Sequence, residues 1–216
     1  VALKHIARLQ RLSRGDAMPL SANTLKSLEI SSTLRGQHHG HVLGVLDKTR
    51  TAMGGRLLKT WVEGPLTDKA RIEARLDCVE ALVGDLIRLE ETGSLLSKVY
   101  DMERLLSKLS YGNLGPRDCL ALLRSLEAAP EARQLVADLP QAGLREVYQL
   151  LAPMPEVASL LSQAIDPEAP VLLSDGGVIK QGFNGELDEA RLAARDSKQW
   201  ISDLEARERA ATGIKN

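Results

Sequence analysis

Apolar residues recur every three or four positions along most of the chain, the spacing of a single buried stripe on an α-helix. Leu3, Ile6, Leu9 and Leu12 alternate with Lys4, Arg8 and Arg11, which predicts an amphipathic helix with a basic outer face. Residues 15–19 break it, and Ser21 stands where it can cap a short helix through Leu25, Leu28 and Ile30. The polar residues 35–40 read as a loop. Val42, Leu46, Met53, Leu57, Leu58, Trp61 and Val62 predict two helical pieces joined near residues 47–51, with Thr51 capping the second and Pro65 ending it. Thr67 and Asp68 then open a long helix in which Ile72, Leu76, Val79, Leu82, Leu86 and Leu89 fall three or four apart, closed by Gly93. A second runs through Leu95, Val99, Met102, Leu106 and Leu109. Gly112-Asn113-Leu114-Gly115-Pro116 stops it and starts another that continues to Leu126.

Beyond Pro130 the prolines at 140, 153, 155, 167 and 170 limit any helix to about a dozen residues. In residues 171–185 two short apolar runs flank Asp175-Gly176-Gly177, the pattern of a hairpin-like turn. Residues 186–211 then hold 12 charged side chains and no Pro or Gly. Leu187, Ala190, Ala194, Ser197, Ile201 and Leu204 form a narrow seam in steps of three and four. A helix of that length extends about 39 Å and needs a partner along one stripe only. The predicted fold is mainly α: an irregular multi-helix bundle with one short hairpin-like turn and a long projecting C-terminal arm helix. It divides into a helical core over 1–185 and the arm over 186–216. No repeat of fixed period is present, which argues against a solenoid.

Composition agrees with helix, since 38 leucines stand against six aromatics. Net charge is −1, too near neutral for bulk binding of nucleic acid. The charge is uneven: residues 1–62 carry ten Lys or Arg and three acids, net +7, and the remainder is net −8. No apolar stretch approaches the roughly 20 residues of a membrane span. Two cysteines, Cys78 and Cys119, are too few for a disulfide scaffold and lie among leucines, which fits reduced thiols and a cytoplasmic protein. The chain starts in mid-pattern at Val1 without Met or signal peptide and stops at Asn216 after a charged helical run, so it reads as an excised piece.

The candidates for chemistry are sparse. His38, His39 and His41 cluster, but neighbouring imidazoles point apart and no Cys, Asp or Glu in the loop completes a metal shell. A metal hydrolase built on them would show stoichiometric metal in protein prepared without a histidine tag. Gly54-Gly55 and Gly176-Gly177 lack the spacing and the Lys-Ser or Lys-Thr of a phosphate loop and fit a close approach or a helix start. Cys78 and Cys119 have no His or basic cluster to lower a thiol pKa. Asp101, Glu103, Arg104 and Lys108 can pair along one helix, as a structural ion network rather than an acid–base pair. Lys4, Arg8 and Arg11 make a candidate weak phosphate contact, and His5 is solvated beside them. No catalytic, cofactor-binding or metal residue is assigned.

The run from Leu46 to Trp61, with Asp47, Thr49, Thr51, Met53-Gly54-Gly55-Arg56-Leu57-Leu58 and then Pro65-Leu66 and Asp68, resembles the signature of the MutS family of DNA mismatch-repair proteins. Tyr100-Asp101-Met102-Glu103-Arg104-Leu105-Leu106-Ser107 and Pro116-Arg117-Asp118 are similar to the next family block. Asp175-Gly176-Gly177-Val178-Ile179, Gly182, Glu186-Leu187-Asp188, Glu208-Arg209 and Thr212-Gly213-Ile214-Lys215 follow in family order. The resemblance covers essentially the whole chain. Lys108, Ser174 and Phe183-Asn184 depart from the usual residues.

The resemblance implies the helical core, or lever, domain with its last helix leading toward a DNA clamp. The mismatch-reading domain would precede Val1, and the clamp and a phosphate-loop ATPase would follow Asn216. It implies a relay that couples ATPase to clamp and does no chemistry itself. For the parent protein it implies a mismatch-binding ATPase using ATP and Mg, a homodimer on mismatched double-stranded DNA, and recruitment of a MutL-type partner in the bacterial cytoplasm or nucleoid; this piece alone is expected to be monomeric. Asp47, Arg56, Asp101 and Arg104 are the charges expected to pin the helices together. The rival from another class is a free-standing helical adaptor that binds a protein partner through the arm seam.

Overall fold

The computed structural model describes residues 17–35 and 40–212. The expected first helix with Lys4, His5, Arg8 and Arg11, and the residues His38 and His39, lie outside them. The described residues form ten α-helices and no strand, so the chain is mainly helical. They divide into two compact units, residues 17–114 with 121–154, and residues 115–120 with 155–212.

In the first unit, side-chain acceptors fix where helices begin, because the first N–H groups of a helix have no partner within it. Ser21 Oγ accepts from the Thr24 N–H at 3.1 Å and starts α1 (Ala22–Ser27). His41 Nδ1 accepts from the Gly44 N–H at 2.9 Å at the head of α2 (Val42–Leu46). Thr51 Oγ1 accepts from the Gly54 N–H at 3.0 Å for α3 (Ala52–Glu63), and Asp68 Oδ1 from the Arg71 N–H at 2.9 Å for α4 (Lys69–Val83). Asp85 caps α5 (Leu86–Leu96), and Asp101 caps α6 (Met102–Ser110).

The single long helix expected from Thr67 to Gly93 is therefore two. Gly84 ends α4, its N–H donating to the Glu80 carbonyl, and Asp85 restarts the chain as α5. The next expected helix, from Leu95 onward, is also interrupted, by residues 97–101. In the opposite sense, α7 (Pro116–Leu135) runs through Pro130. Its buried face repeats every three residues at Leu122, Ser125 and Ala128, whereas Pro130 lies on the exposed side. Burial of that face holds the helix together despite the lost N–H. Helix α8 (Ala142–Leu150) packs on α4, and α4 also packs on α5. Leu95, Leu105, Leu122, Ala128, Val136 and Leu144 are this unit's buried apolar residues. Ser125 is buried with them; its Oγ donates to the Ala121 carbonyl and accepts from the Tyr100 N–H.

The second unit contains the first turn of α7, α9 (Pro155–Ala164), a 3-10 turn (Leu173–Asp175) and α10 (Gly185–Thr212). Leu120, Ala164, Ile165 and Ala169 form its core, with Cys119, Leu161, Val178 and Ile179 packed against it. At the expected hairpin-like turn, Asp175 ends the 3-10 turn and Gly176 and Gly177 follow, both at positive φ. Its pairing differs from a hairpin: Ile179 forms an antiparallel bridge with Ile165, and residues 171–173 enter the 3-10 turn. The reason is burial, since pairing with Ile165 places Val178 and Ile179 against the core while Val171, Leu172 and Leu173 stay exposed.

Candidate functional site

The first-unit site grows from the α2–α3 loop. Asp47 Oδ1 accepts from both the backbone N–H and the hydroxyl of Thr49, at 3.0 and 2.7 Å, a local turn that reverses the chain into α3. These bonds, the hydroxyl's first, hold the Asp47 carboxyl below the ordinary carboxylate range. The loop folds so closely over the start of α3 that a Cβ on Gly54 would stand 2.9 Å from Thr51 Oγ1 and one on Gly55 3.3 Å from Thr49 Oγ1. The paired glycines serve a close approach.

One turn further along α3, Arg56 reaches the head of α6. Its Nη1 and Nη2 donate to Asp101 Oδ2 and Oδ1 at 2.9 and 2.8 Å, and its Nε donates to Glu103 Oε2 at 3.1 Å. A planar guanidinium matches two carboxylates in this way where an ammonium does not. Arg56 is held further into its charged form, by Asp101 first and Glu103 second. The guanidinium in turn holds the Asp101 carboxyl below the ordinary range, helped by the Arg104 backbone N–H that Asp101 caps. Asp101 thus fastens its own helix and α3 at once.

Of the four charges singled out in the sequence, Arg56 and Asp101 meet. Asp47 bonds within its loop, and Arg104 enters through its backbone N–H and its nearby charge on Asp101. Glu103 joins them as a second acceptor from 47 positions away, a distance no helical spacing signals. The clamp is half-exposed at Arg56, so it acts as a geometric fastener more than as a large source of stability.

A second clamp joins residues 50 positions apart, with no signal in the sequence pattern. Arg88 of α5 donates to both oxygens of Asp138, at 2.7 and 3.0 Å, and to the Leu135 carbonyl at 3.2 Å. It also pairs with Asp85 at 3.2 Å. Arg88 holds the Asp138 carboxyl below its ordinary value. Nearby, the Arg133 guanidinium lies 4.1 Å over the Tyr148 ring while its Nε donates to the Tyr148 carbonyl.

In the second unit the functional geometry lies at the base of α10. Asn184 Oδ1 caps the helix by accepting from the Leu187 N–H, and Asp188 Oδ2 accepts from the Gly182 N–H at 2.6 Å. Arg191 donates to the Ile179 carbonyl at 2.9 Å and to Asp188 at 3.3 Å. The base of α10 is thereby fastened to the strand-like segment that bridges to Ile165. Residues 201–210, by contrast, are exposed throughout. The apolar seam of this helix carries no signal for Arg191, whose bond to the Ile179 carbonyl lies outside the helical spacing.

His41 is buried and spends its Nδ1 on the α2 cap, and among the described residues no three His, Cys, Asp or Glu side chains could hold a metal ion. Cys78 and Cys119 are free thiols; burial, then Asp118, pushes the Cys119 thiol up, away from a reactive thiolate. Among the described residues no helix is long and apolar enough to cross a membrane.

Arginine clamps between helices, together with a last helix fastened at its base to the segment that bridges to Ile165, define a helical structural module. Residues 23–213 match the family model for MutS domain III. The chain is 45% identical to the DNA mismatch repair protein MutS of Pelotomaculum thermopropionicum over 99% of this chain and 25% of that protein. It is 43% identical to that of Desulforamulus reducens, and 37% identical to that of Streptococcus gordonii, over the same shares. The chain belongs to the MutS family, within its domain III. It spans about a quarter of the length of the curated relatives it matches.

Proposed function

We propose that this chain is the structural relay of a DNA mismatch-repair MutS protein, coupling an ATPase elsewhere in the longer polypeptide to the clamp that holds the duplex. The carrying observation is the anchorage of α10. Arg191 and Asp188 fix its first two turns, whereas residues 201–210 are exposed. At about 1.5 Å per residue its 28 residues extend about 42 Å, so a rotation of about 5° at the base moves the tip by about 4 Å. The clamps Arg56–Asp101–Glu103 and Arg88–Asp138 tie helices at single points, and such points are where packed elements can exchange one arrangement for another.

In this reading the chain does no chemistry. ATP and Mg act in the longer protein, and no residue of this chain is assigned to hold either. Mismatched double-stranded DNA, a second subunit and a MutL-type partner likewise meet the longer protein, in the bacterial cytoplasm. Lys4, Arg8 and Arg11 supply at most a weak phosphate contact. The test is fluorescence anisotropy of labelled matched and mismatched duplexes titrated with this chain at low and physiological salt. Three phosphate contacts predict weak binding that falls with a log–log salt slope of about −3 and ignores the mismatch. A mismatch preference that survives physiological salt would mean that this chain reads DNA itself, and the relay assignment would fail.

A further inference from the structure

A groove of about 680 Å³ runs along α5 and is closed on one side by the α2–α3 loop. Leu86, Leu89 and Leu96 stand along it at helical spacing, with Gly93 between them, and Leu82 at the end of α4 extends the row. Leu86 is 70% exposed, and Leu89 and Leu96 are exposed as well. An apolar row with this period fits the ridge of another helix.

The charge of the groove selects among helices. Arg50 leans over Gly93, where a Cβ would stand 3.8 Å from its Nε. Unlike Arg56 and Arg88, each of which grips two carboxylates, Arg50 has no acidic partner among the described residues. Lys48 lines the same side, leaving Glu90 as the acid in the lining.

We propose that this groove is a docking site for an acidic amphipathic helix of a separate protein partner, whose apolar residues lie on the α5 leucines and whose carboxylate meets Arg50. The inference is independent of the relay reading, since it concerns a static surface of the first unit. Leucine burial supplies attraction, and the unpaired guanidinium supplies the choice of sign.

The probe is an 18-residue fluorescein-labelled peptide with leucines at helical spacing and glutamates beside them, compared with the same peptide carrying lysines for the glutamates. The glutamate peptide is expected to bind at least about tenfold more tightly than the lysine peptide, with the difference shrinking as salt rises. Arg50→Glu should reverse the preference, and Leu89→Asp should weaken both peptides. Circular dichroism should be unchanged in both variants, the control that these exposed positions leave the fold intact. Trp200→Glu, on α10, should change neither affinity. Equal binding of the two peptides, or indifference to Arg50→Glu, overturns the proposal. So does self-association of the chain that Arg50→Glu abolishes and the peptide does not displace, which would give the groove to a second copy.

Discussion

Gly143 in the first turn of α8 faces Cys78 of α4 so closely that an added Cβ would stand 2.9 Å from Sγ. That is about 0.5 Å inside the start of ordinary contact near 3.4 Å. Cys78 is not free to swing away without loss, because its Sγ donates to the Ala74 carbonyl at 3.2 Å. Overpacking of this kind costs about 1–3 kcal/mol, whereas Gly to Ala within a helix returns up to about 1 kcal/mol. Gly143→Ala should therefore destabilise the chain by about 0–3 kcal/mol, the clash prevailing. In a Cys78→Ala background the clash is gone and the same substitution should stabilise by up to about 1 kcal/mol. The coupling energy of the double-mutant cycle is then about 1–3 kcal/mol, read by thermal and urea unfolding with circular dichroism, where 1 kcal/mol corresponds to about 2–4 °C in Tm. If Gly143→Ala raises Tm equally in both backgrounds, α4 and α8 do not approach as described, and the packing that positions the first-unit clamps is wrong.

Other expectations follow from single residues. Pro130→Ala restores a backbone donor on the exposed side of α7 and should stabilise by about 1–3 kcal/mol, measured by urea unfolding; a loss of stability would show that the proline supports the helix rather than weakening it. Ile165→Ala removes a buried side chain that both fills the second-unit core and bridges to Ile179, and should cost about 2–5 kcal/mol with faster proteolysis of α10. Arg56→Lys should behave as Arg56→Ala in Tm, since an ammonium cannot make the two-carboxylate fork. Because Asp101 is held below its ordinary 3.8 by Arg56, the clamp's contribution is present above that value and is lost as pH falls through the lowered one. The Tm gap between parent and Arg56→Ala should thus be largest near neutrality and close below about pH 4, and a gap that widens in acid would contradict the ion pair.

Local chemistry was the legible part of this fold. Ser21, Thr51 and Asp68 announce helix starts because each is a short acceptor just before an apolar run, and all three cap. Asp85 was missed because Leu82, Leu86 and Leu89 keep helical spacing straight across the break, so that an N-cap reads as a mid-helix acid. Pro130 misled in the other direction, since a sequence shows the lost N–H and not that the opposite face is buried. Val178 and Ile179 read as strand-like, but their partner Ile165 lies beyond the turn's reach and was chosen by the core. The clamps are the least legible element. Arg56 and Asp101 are 45 positions apart and Arg88 and Asp138 are 50 apart, and only tertiary packing brings such pairs together.

Coupling between ATPase and DNA clamp is best probed in the longer protein carrying Arg191→Ala at the base of α10 or Arg56→Ala at the first clamp. Stopped-flow anisotropy would follow release of a mismatched duplex on adding ATP, beside equilibrium duplex affinity and ATP turnover. A relay predicts that affinity and turnover stay within about twofold of the parent while release changes at least about fivefold, the lower end of measured coupling energies. Release that matches the parent in both variants, with affinity and turnover intact, would contradict the account.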